Sequence, residues 1–298
     1  MACRYMLAMG ISLDFIYLVL MASWMEDRYH MPWASHQPLD VIDYFAGSAR
    51  IAKIGTIQGY TCRAYDCLYD TPPCGESTHS QLPRRSAFDF CGEAGFWLAI
   101  LMVLQGKSPG MLACLGPVCS SWSIVNRATS QRDELTPLGN TRNTKVIQGN
   151  RMIARTALLA LLAALLGGYF VIENPASSFI CWHPDLVWMI GAMRRAGIKV
   201  YKVVFYMKDF GSSTPKRTML LTNAGAVRRL SKVKGRSKAK PGKSLCRKYL
   251  DKKGQRAFQG TPALKKVPVF QVNFVISYSK VLPGEPKPQK VLVLYTKT

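Results

Sequence analysis

The chain has 298 residues, 48% of them hydrophobic, which is enough for one large α/β domain, alone or with an appendage. Nine cysteines, an odd number with no Cys-x-x-Cys pair, argue against a disulfide framework and a zinc ribbon. Zinc at the loose cluster Cys62, Cys67 and Cys74 is an alternative, but reduced structural thiols are favoured and no metal is predicted. The net charge of +23 points to a polyanionic partner, nucleic acid first and an acidic membrane surface second. A basic surface without a dedicated partner remains open.

Residues 1–38 are predicted to form an apolar helix followed by a turn-rich linker. The segment from Tyr5 to Trp24 is apolar except for Asp14 and has about the length of a membrane span. Neither a charged leader region nor a clear cleavage site accompanies it. A buried or interfacial helix is favoured. Membrane association through residues 5–24 and a spurious extension of the gene model are the alternatives.

Residues 39–224 alternate between short apolar runs and helical stretches, which predicts an α/β fold. Helices are predicted up to Ile57 and at 96–105, 153–166 and 185–196, and residues 69–85 and 124–148 are predicted to be loops. Strands are predicted at 41–45, 61–65, 87–90, 111–115, 169–172, 200–207 and 218–222. Because only a short loop joins the last two strands, the expected sheet is doubly wound and mostly parallel with an antiparallel edge strand.

Residues 225–298 form a basic, partly disordered tail with a short β element in this interpretation. The stretch from Lys232 to Lys243 has almost no apolar residues, so it is expected to be disordered when unbound. Residues 267–277 and 291–295 are predicted strands. A sequence-independent contact with nucleic-acid phosphates is predicted for five cations of the tail: Lys232, Lys234, Arg236, Lys238 and Lys240.

Two acidic residues and a glycine turn suggest a nucleoside pocket at the ends of the first strands. Gly47 lies between the first strand and its helix, where a backbone can approach a ligand closely. Asp66 follows the second strand, where a carboxylate can accept hydrogen bonds from ribose hydroxyls. Asp89 ends the third predicted strand, where it could receive an adenine amino group. An ordinary strand–helix turn and two helix N-caps are the alternative interpretations.

A second group combines a thiol, a carboxyl group and a guanidinium group. Cys119 follows Gly-Pro after a buried strand, Glu173 ends the next predicted strand, and Arg217 lies at the last hairpin. In one pocket, the thiol would add to an electron-poor ring that the carboxyl group protonates, while the arginine would fix the target and stabilise the thiolate electrostatically. The alternatives are a buried structural cysteine, a cap at the end of the sheet and a member of the general basic surface.

Taken in order, these motifs resemble those of the C5-cytosine DNA methyltransferase family. Phe45-Ala46-Gly47 is similar to its cofactor turn, Gly116-Pro117-Val118-Cys119 to its nucleophile loop, and Ile172-Glu173-Asn174 to its Glu-Asn-Val strand end. Gly211 to Arg217 is similar to its Gly-Val-Pro-Gln-x-Arg segment. The chain differs from the family pattern at Ser120, Pro175 and Lys216. The resemblance covers residues 40–223 and implies a class I, S-adenosylmethionine-dependent methyltransferase fold.

The resemblance also implies roles for individual residues. Cys119 would attack C6 of a flipped-out cytosine, Glu173 would engage N3, and Arg217 would hold the base. Asn174 would support the loop that carries Cys119, and Ser121 and Ser123 would lie against the nucleic acid. S-adenosylmethionine would be held by Phe45, Ala46, Gly47, Ser48, Asp66, Asp89 and Pro117.

Base methylation in a nuclear or other nucleic-acid-containing compartment is the function expected from these motifs. DNA is favoured over RNA as the substrate. The alternatives are a non-catalytic nucleic-acid-binding protein on a degenerate methyltransferase scaffold, and a membrane-anchored basic protein whose tail binds lipid head groups.

Overall fold

A six-stranded sheet forms the centre of the protein. The computed structural model describes residues 37–70, 86–210, 212 and 216–233, together with Tyr17 and the backbone of four short strands further along the chain. The sheet strands are β1 (Val41–Tyr44), β2 (Cys62–Tyr65), β3 (Leu112–Leu115), β4 (Tyr169–Pro175), β5 (Tyr201–Tyr206) and β6 (Arg217–Thr222). Their order is β2-β1-β3-β4-β6-β5. The first four of these strands pair in parallel, which confirms the mostly parallel sheet.

Helices cover both faces of the sheet. They are α1 (Arg50–Ile57), α2 (Glu93–Leu104), α3 (Arg127–Ser130), α4 (Thr144–Leu165) and α5 (Pro184–Arg195). One face of the sheet packs against α2, α4 and α5 in the larger hydrophobic core. On the other face, Ile51 of α1 packs against a smaller core that includes Cys114 and Val171. The fold is therefore a three-layered α/β arrangement, as the alternating pattern predicted.

Antiparallel pairing is confined to the β5 end of the sheet. β6 runs opposite to both of its neighbours, β4 and β5, and β5 is the outermost strand. The chain then continues into a 3₁₀ segment, Gly225–Lys232, whose Val227 and Leu230 are buried in the smaller core. The packed layer thus extends past residue 224 to Leu230, because apolar side chains still alternate with the first basic residues of the tail.

The predicted strand at 87–90 is wrong. Residues 87–90 form turns that lead into α2. Asp89 accepts a hydrogen bond from the Cys91 N–H, and its carbonyl accepts one from Gly92. Three aromatic contacts of Phe90, with Phe45, Tyr65 and Phe96, hold this turn against the core. The apolar residues of the stretch therefore pack as an aromatic cluster and do not pair in the sheet.

The predicted long loop at 124–148 is also wrong in part. Ile124–Asn126 is a 3₁₀ turn, α3 follows it, and α4 begins at Thr144, nine residues before the predicted start at 153. The Asn143 side chain caps α4 by accepting the Lys145 N–H. Gly149 sits inside this helix because a Cβ there would collide with the Ser121 hydroxyl. The first turns of α4 are polar and contain a glycine in mid-helix, so the hydrophobic pattern of the sequence did not predict them as helix.

Two separate antiparallel strand pairs follow the sheet. One pairs β7 (Cys246–Leu250) with β8 (Arg256–Gly260), and the other pairs β9 (Asn273–Ile276) with β10 (Val291–Leu294). The second pair confirms the strands predicted within 267–277 and 291–295. Tyr17 is helical, and the rest of the predicted helix at 5–24 lies outside the described residues. Among the described residues, no helix combines the length and the hydropathy that a membrane crossing needs.

The connectivity creates a crevice between β1 and β3. From β1 the chain crosses to β2 on one side of the sheet, and from β2 it returns to β3 on the other side. The loops that leave β1 and β3 therefore diverge at the carboxyl edge. In open α/β sheets, such a switch point is where ligands bind. The Gly47 turn and the Cys119 loop are the two loops that leave these strands.

Candidate functional site

A cleft of about 560 Å³ opens at the carboxyl ends of β1, β3 and β4. Its walls are the turn after β1, the end of β3 and the first turn of α1. Glu173 of β4 closes one side. Of the predicted cofactor residues, the lining includes Phe45, Ala46 and Ser48.

The turn after β1 holds its backbone in strained conformations. Phe45, Gly47 and Ala49 have φ values of 58°, 52° and 55°, which lie in the left-handed region. This region is costly for the two non-glycine residues and is concentrated at functional sites. A Cβ at Gly47 would meet no atom within 4 Å among the described residues, so space is open beside its backbone. Space is therefore open on one side of the turn, while the Gly47 N–H donates to the Asp66 carboxylate and the Gly47 carbonyl accepts the Tyr69 hydroxyl.

Asp66 and Asp89 lie at the same end of the sheet. The Asp66 carboxylate accepts hydrogen bonds from the backbone N–H groups of Gly47 (2.8 Å) and Leu68 (3.0 Å). Both carboxylates raise the pKa of the Cys67 thiol, so both lie within electrostatic range of one sulfur atom. Neither acid is among the residues that line the cleft. The bond from Leu68 makes Asp66 the cap of the 3₁₀ turn Cys67–Asp70, which is the alternative that the sequence left open, and the bond from Gly47 ties the turn after β1 to the end of β2.

Asp43 is a site residue that the sequence analysis missed. It lies inside β1, is 4% exposed and lines the cleft. Its carboxylate accepts the Ala52 N–H of α1 (3.3 Å), whose own N-cap residue, Ala49, makes no side-chain capping bond. Burial raises the pKa of Asp43 to about 6, against the lowering effect of these backbone hydrogen bonds. The feature of the sequence that could have indicated Asp43 is a single acidic residue within an apolar strand.

Arg50 is a second missed residue. It is the first residue of α1 and lines the same cleft. Its Nη1 atom is buried and has no hydrogen-bond partner among the described residues. A buried guanidinium nitrogen without an acceptor is costly, and an anionic group in the cleft would satisfy it. The cleft can therefore accept a ligand that carries a carboxylate or a phosphate.

The Cys119 loop is held in place by β4. The Asn174 side chain is fully buried and donates a hydrogen bond to the Pro117 carbonyl (3.2 Å). The loop closes on itself, because the N–H groups of Trp122 and Ser123 both donate to the Cys119 carbonyl at 3.0 Å. The support expected from Asn174 is present. Pro117 takes part in this support and is absent from the residues that line the cleft.

Cys119 lies within electrostatic range of two opposite charges. Burial raises the pKa of the Cys119 thiol, Lys216 lowers it, and Glu173 raises it. Lys216 and Glu173 form an ion pair, with Nζ 3.1 Å from Oε1, and both side chains are largely buried. Because burial has the largest effect, the thiol is protonated at neutral pH in this arrangement.

Lys216 takes the position near the thiol that was predicted for Arg217. Arg217 begins β6 opposite Tyr206 and is exposed, and its carbonyl accepts the Ala176 N–H. Within the described part of the chain, the cation in contact with Glu173 is Lys216. Successive residues of a strand point to opposite faces, so a shift of one residue changes which cation reaches the acid. Spacing along the sequence does not show whether Lys216 or Arg217 reaches Glu173.

Lys216→Met is expected to raise the pKa of Cys119 further, because it removes the cation that lowers it and leaves Glu173 unpaired. Iodoacetamide labelling of Cys119, followed by mass spectrometry across a pH series, measures this shift. The labelling curve should move to higher pH. Arg217→Met is the matched control and should leave the curve in place. Equal curves for Lys216→Met and the wild type would remove Lys216 from the environment of the thiol.

The other residues that were predicted to contact nucleic acid lie in different parts of the structure. Ser121 is buried, and its hydroxyl accepts a hydrogen bond from Arg132 (3.3 Å). Ser123 caps the 3₁₀ turn that follows it. Lys232 ends the 3₁₀ segment at 225–232. The remaining tail cations, Lys234, Arg236, Lys238 and Lys240, lie outside the described residues.

Within the described ranges, no group of three or more His, Cys, Asp or Glu side chains could hold a metal ion. Of the loose cysteine cluster, Cys62 and Cys67 are described and are free thiols. The site therefore offers one thiol, several carboxylates and two partly buried cations.

The sequence was also compared with known proteins. No protein-family model and no curated protein matches this chain. What the structure shows by itself is an α/β fold with a mixed, mostly parallel sheet and a cleft at its topological switch point.

Proposed function

We propose that this chain transfers a methyl group from S-adenosylmethionine to C5 of a cytosine in nucleic acid, through an adduct with Cys119. The observation that carries the proposal is the convergence at one sheet edge. Cys119 lies within electrostatic range of Glu173, and Glu173 lines the same cleft as the Gly47 turn. The motifs resemble those of a family with the class I methyltransferase fold, in which the cofactor cleft lies at this switch point.

The cleft has features that suit S-adenosylmethionine. Arg50 offers a buried, unpartnered donor for a carboxylate, and Asp43 offers a buried carboxylate near which a cationic group is favoured above about pH 6. The open side of Gly47 leaves room for a ligand against the backbone. Asp66 and Asp89 would serve the ribose hydroxyls and the adenine amino group. When bound, the cofactor supplies an electrophilic methyl group.

The residues of the chain would prepare the base for that methyl group. The Cys119 thiol would give its proton to solvent as its sulfur bonds to C6 of the ring, while Glu173 would hold a proton at N3. Addition at C6 makes C5 nucleophilic, and protonation at N3 draws electrons from C6. Once C5 carries the methyl group, loss of the C5 proton to solvent would break the bond between C6 and sulfur and release the base. Glu173 must leave Lys216 to reach the base, and Lys216 would then be free to stabilise the thiolate. Lys216 would thus supply the positive charge beside the thiol that was predicted for Arg217.

Nucleic acid is the proposed substrate because of the charge of the chain. The net charge is +23, and the clustered cations of the tail are suited to phosphate contacts without sequence preference. DNA is the first candidate and RNA the second, because the motifs resemble those of a DNA family.

A second candidate is a nucleic-acid-binding protein without catalysis. It is favoured by the protonated Cys119 thiol and by the Glu173 carboxylate that is already paired with Lys216. In this second candidate, the cleft and the Cys119 thiol have no catalytic role, and the cations of the chain bind the nucleic acid.

The test is transfer of a labelled methyl group from S-adenosylmethionine to a panel of DNA and RNA, with calorimetry of cofactor binding on the same preparation. We expect label in cytosine and a heat of binding. A folded protein that binds the nucleic acids but gives neither label nor heat would support the second candidate and reject the first.

A further inference from the structure

A second and larger cleft lies on the other side of the Cys119 loop. It is open and measures about 1030 Å³. Three segments form it: the Cys119 loop, the short helix α3 with the turn before it, and the first two turns of α4. None of its lining residues belongs to the cofactor cleft. It therefore adjoins the proposed reaction site as a separate surface.

Polar residues outnumber apolar ones in the lining of this cleft, although apolar atoms provide more of its surface. The described residues that form it include no Asp or Glu. Its one ionisable side chain among these residues is Lys145, which is exposed. Lys145 lies in the first turn of α4, a 22-residue helix, and the positive end of the helix dipole faces the same region. The electrostatic environment of the cleft thus favours an anion.

A buried cation behind the wall strengthens this field. Arg132 is 0% exposed, and its guanidinium group lies 3.4 Å from the centre of the Trp122 ring. Its hydrogen bonds go to neutral oxygens: the carbonyls of Ser121, Pro137 and Val146, the Ser121 hydroxyl and the Asn150 amide. Ser121 and Val146 also line the cleft. No carboxylate in these contacts cancels the Arg132 charge, which is felt across a low-dielectric wall.

One hydroxyl in the lining has no partner. Ser130 is 2% exposed and lines the cleft, and its Oγ has no hydrogen-bond partner among the described residues. Leaving a buried hydroxyl unsatisfied is unfavourable, so a residue of this kind needs a reason to stay polar. An anionic oxygen in the cleft would accept a hydrogen bond from the Ser130 hydroxyl. This orphan donor is independent of the helix terminus and of Lys145.

We propose that this cleft binds a backbone phosphate of the polynucleotide strand that passes the Cys119 loop, with Lys145 and the Ser130 hydroxyl as its ligands. The inference rests on the proposed nucleic-acid substrate and adds the place where the strand is gripped. Arg132 acts as a positioning residue, because its donors are all engaged and only its charge reaches the cleft. The site would fix the strand beside Cys119 without reading its sequence.

The test uses the full chain and a fluorescent oligonucleotide whose binding is measured over a series of NaCl concentrations. Lys145→Gln should weaken binding and reduce the slope of log affinity against log salt by about 1. Ser130→Ala should weaken binding by about tenfold with an unchanged slope, because it removes a hydrogen bond and no charge. Lys199→Gln is the matched control, because Lys199 is an exposed lysine before the amino end of β5, at the opposite edge of the sheet.

Stability separates binding from a merely structural role of Ser130. Removing an orphan buried hydroxyl should leave the melting temperature of Ser130→Ala unchanged or raise it. Weaker binding by a protein of equal or higher stability supports the proposal. Binding equal to that of the wild type, or equal losses for Lys145→Gln and Lys199→Gln, would overturn it.

Competition identifies the source of the phosphate. Inorganic phosphate and a mononucleotide should displace the oligonucleotide only weakly, because they lack the neighbouring contacts of a strand. A mononucleotide that binds as tightly as the oligonucleotide would assign the cleft to a free nucleotide and overturn the proposal. Both variants should keep the wild-type heat of cofactor binding. If the salt slopes are as expected but no methyl group is transferred, the proposed methyl transfer is rejected and the phosphate site is retained.

Discussion

Replacing Cys119 by serine is expected to reduce methyl transfer by about 10³-fold or more, since a hydroxyl at the same position is a much weaker nucleophile than a thiolate. The loop should keep its shape, because Asn174 holds it through the Pro117 carbonyl and does not contact the sulfur. Cofactor and oligonucleotide binding should therefore remain. The loss belongs to the chemical step if the labelled-methyl assay falls and the two binding measurements do not.

Cys62→Ser is the matched control for this experiment. Cys62 is also a half-buried free thiol with a pKa raised by burial, but it begins β2 at the amino edge of the sheet. Its replacement should leave transfer within a few fold of wild type. Transfer that survives Cys119→Ser would remove the thiol from the reaction. Loss in both variants would point to a general effect of removing thiols.

The pattern of the sequence predicts this site in outline because its residues follow strands. Cys119, Glu173 and Asn174 each come just after or at the end of an apolar run, and parallel strands bring such positions to one edge. Lys216 could not be chosen over Arg217, since side-chain direction at a hairpin depends on register. Arg50 and Ser130 could not be found either, because the absence of a partner is a property of the packed structure.

The fold could be predicted where the hydrophobic periodicity of a segment and its length indicate the same type of element. The two turns of α4 before residue 153 were missed because tertiary contacts, chiefly the approach of Ser121 to Gly149, override a weak local propensity. Residues 87–90 have the alternation of a strand, but their aromatic rings pack into a cluster beside α2. In both places, the outcome depends on residues that are distant in the sequence.

Asp43→Asn is expected to change how stability depends on pH. The folded protein raises the pKa of Asp43 from 3.8 to about 6, so the folded state holds this proton more tightly than the unfolded state. Stability due to the neutral carboxyl group is therefore present at low pH and is lost as pH rises from about 4 to about 6. The loss amounts to about 1.4 kcal/mol per pH unit and about 3 kcal/mol in all. Asparagine keeps the acceptor oxygen for Ala52 and has no charge to bury.

The stability difference between Asp43→Asn and the wild type isolates this group, since other titrating residues cancel. By urea unfolding, the difference should grow in favour of the variant between about pH 4 and pH 6 and then level off. Asp43→Ala should show the same pH dependence with a constant loss of about 1–2 kcal/mol, because the α1 N–H groups lose their acceptor. A difference that stays flat from acid to neutral pH would mean that Asp43 titrates normally. The Asp43 carboxylate would then be charged from about pH 4 upward, and burial would not delay its ionisation.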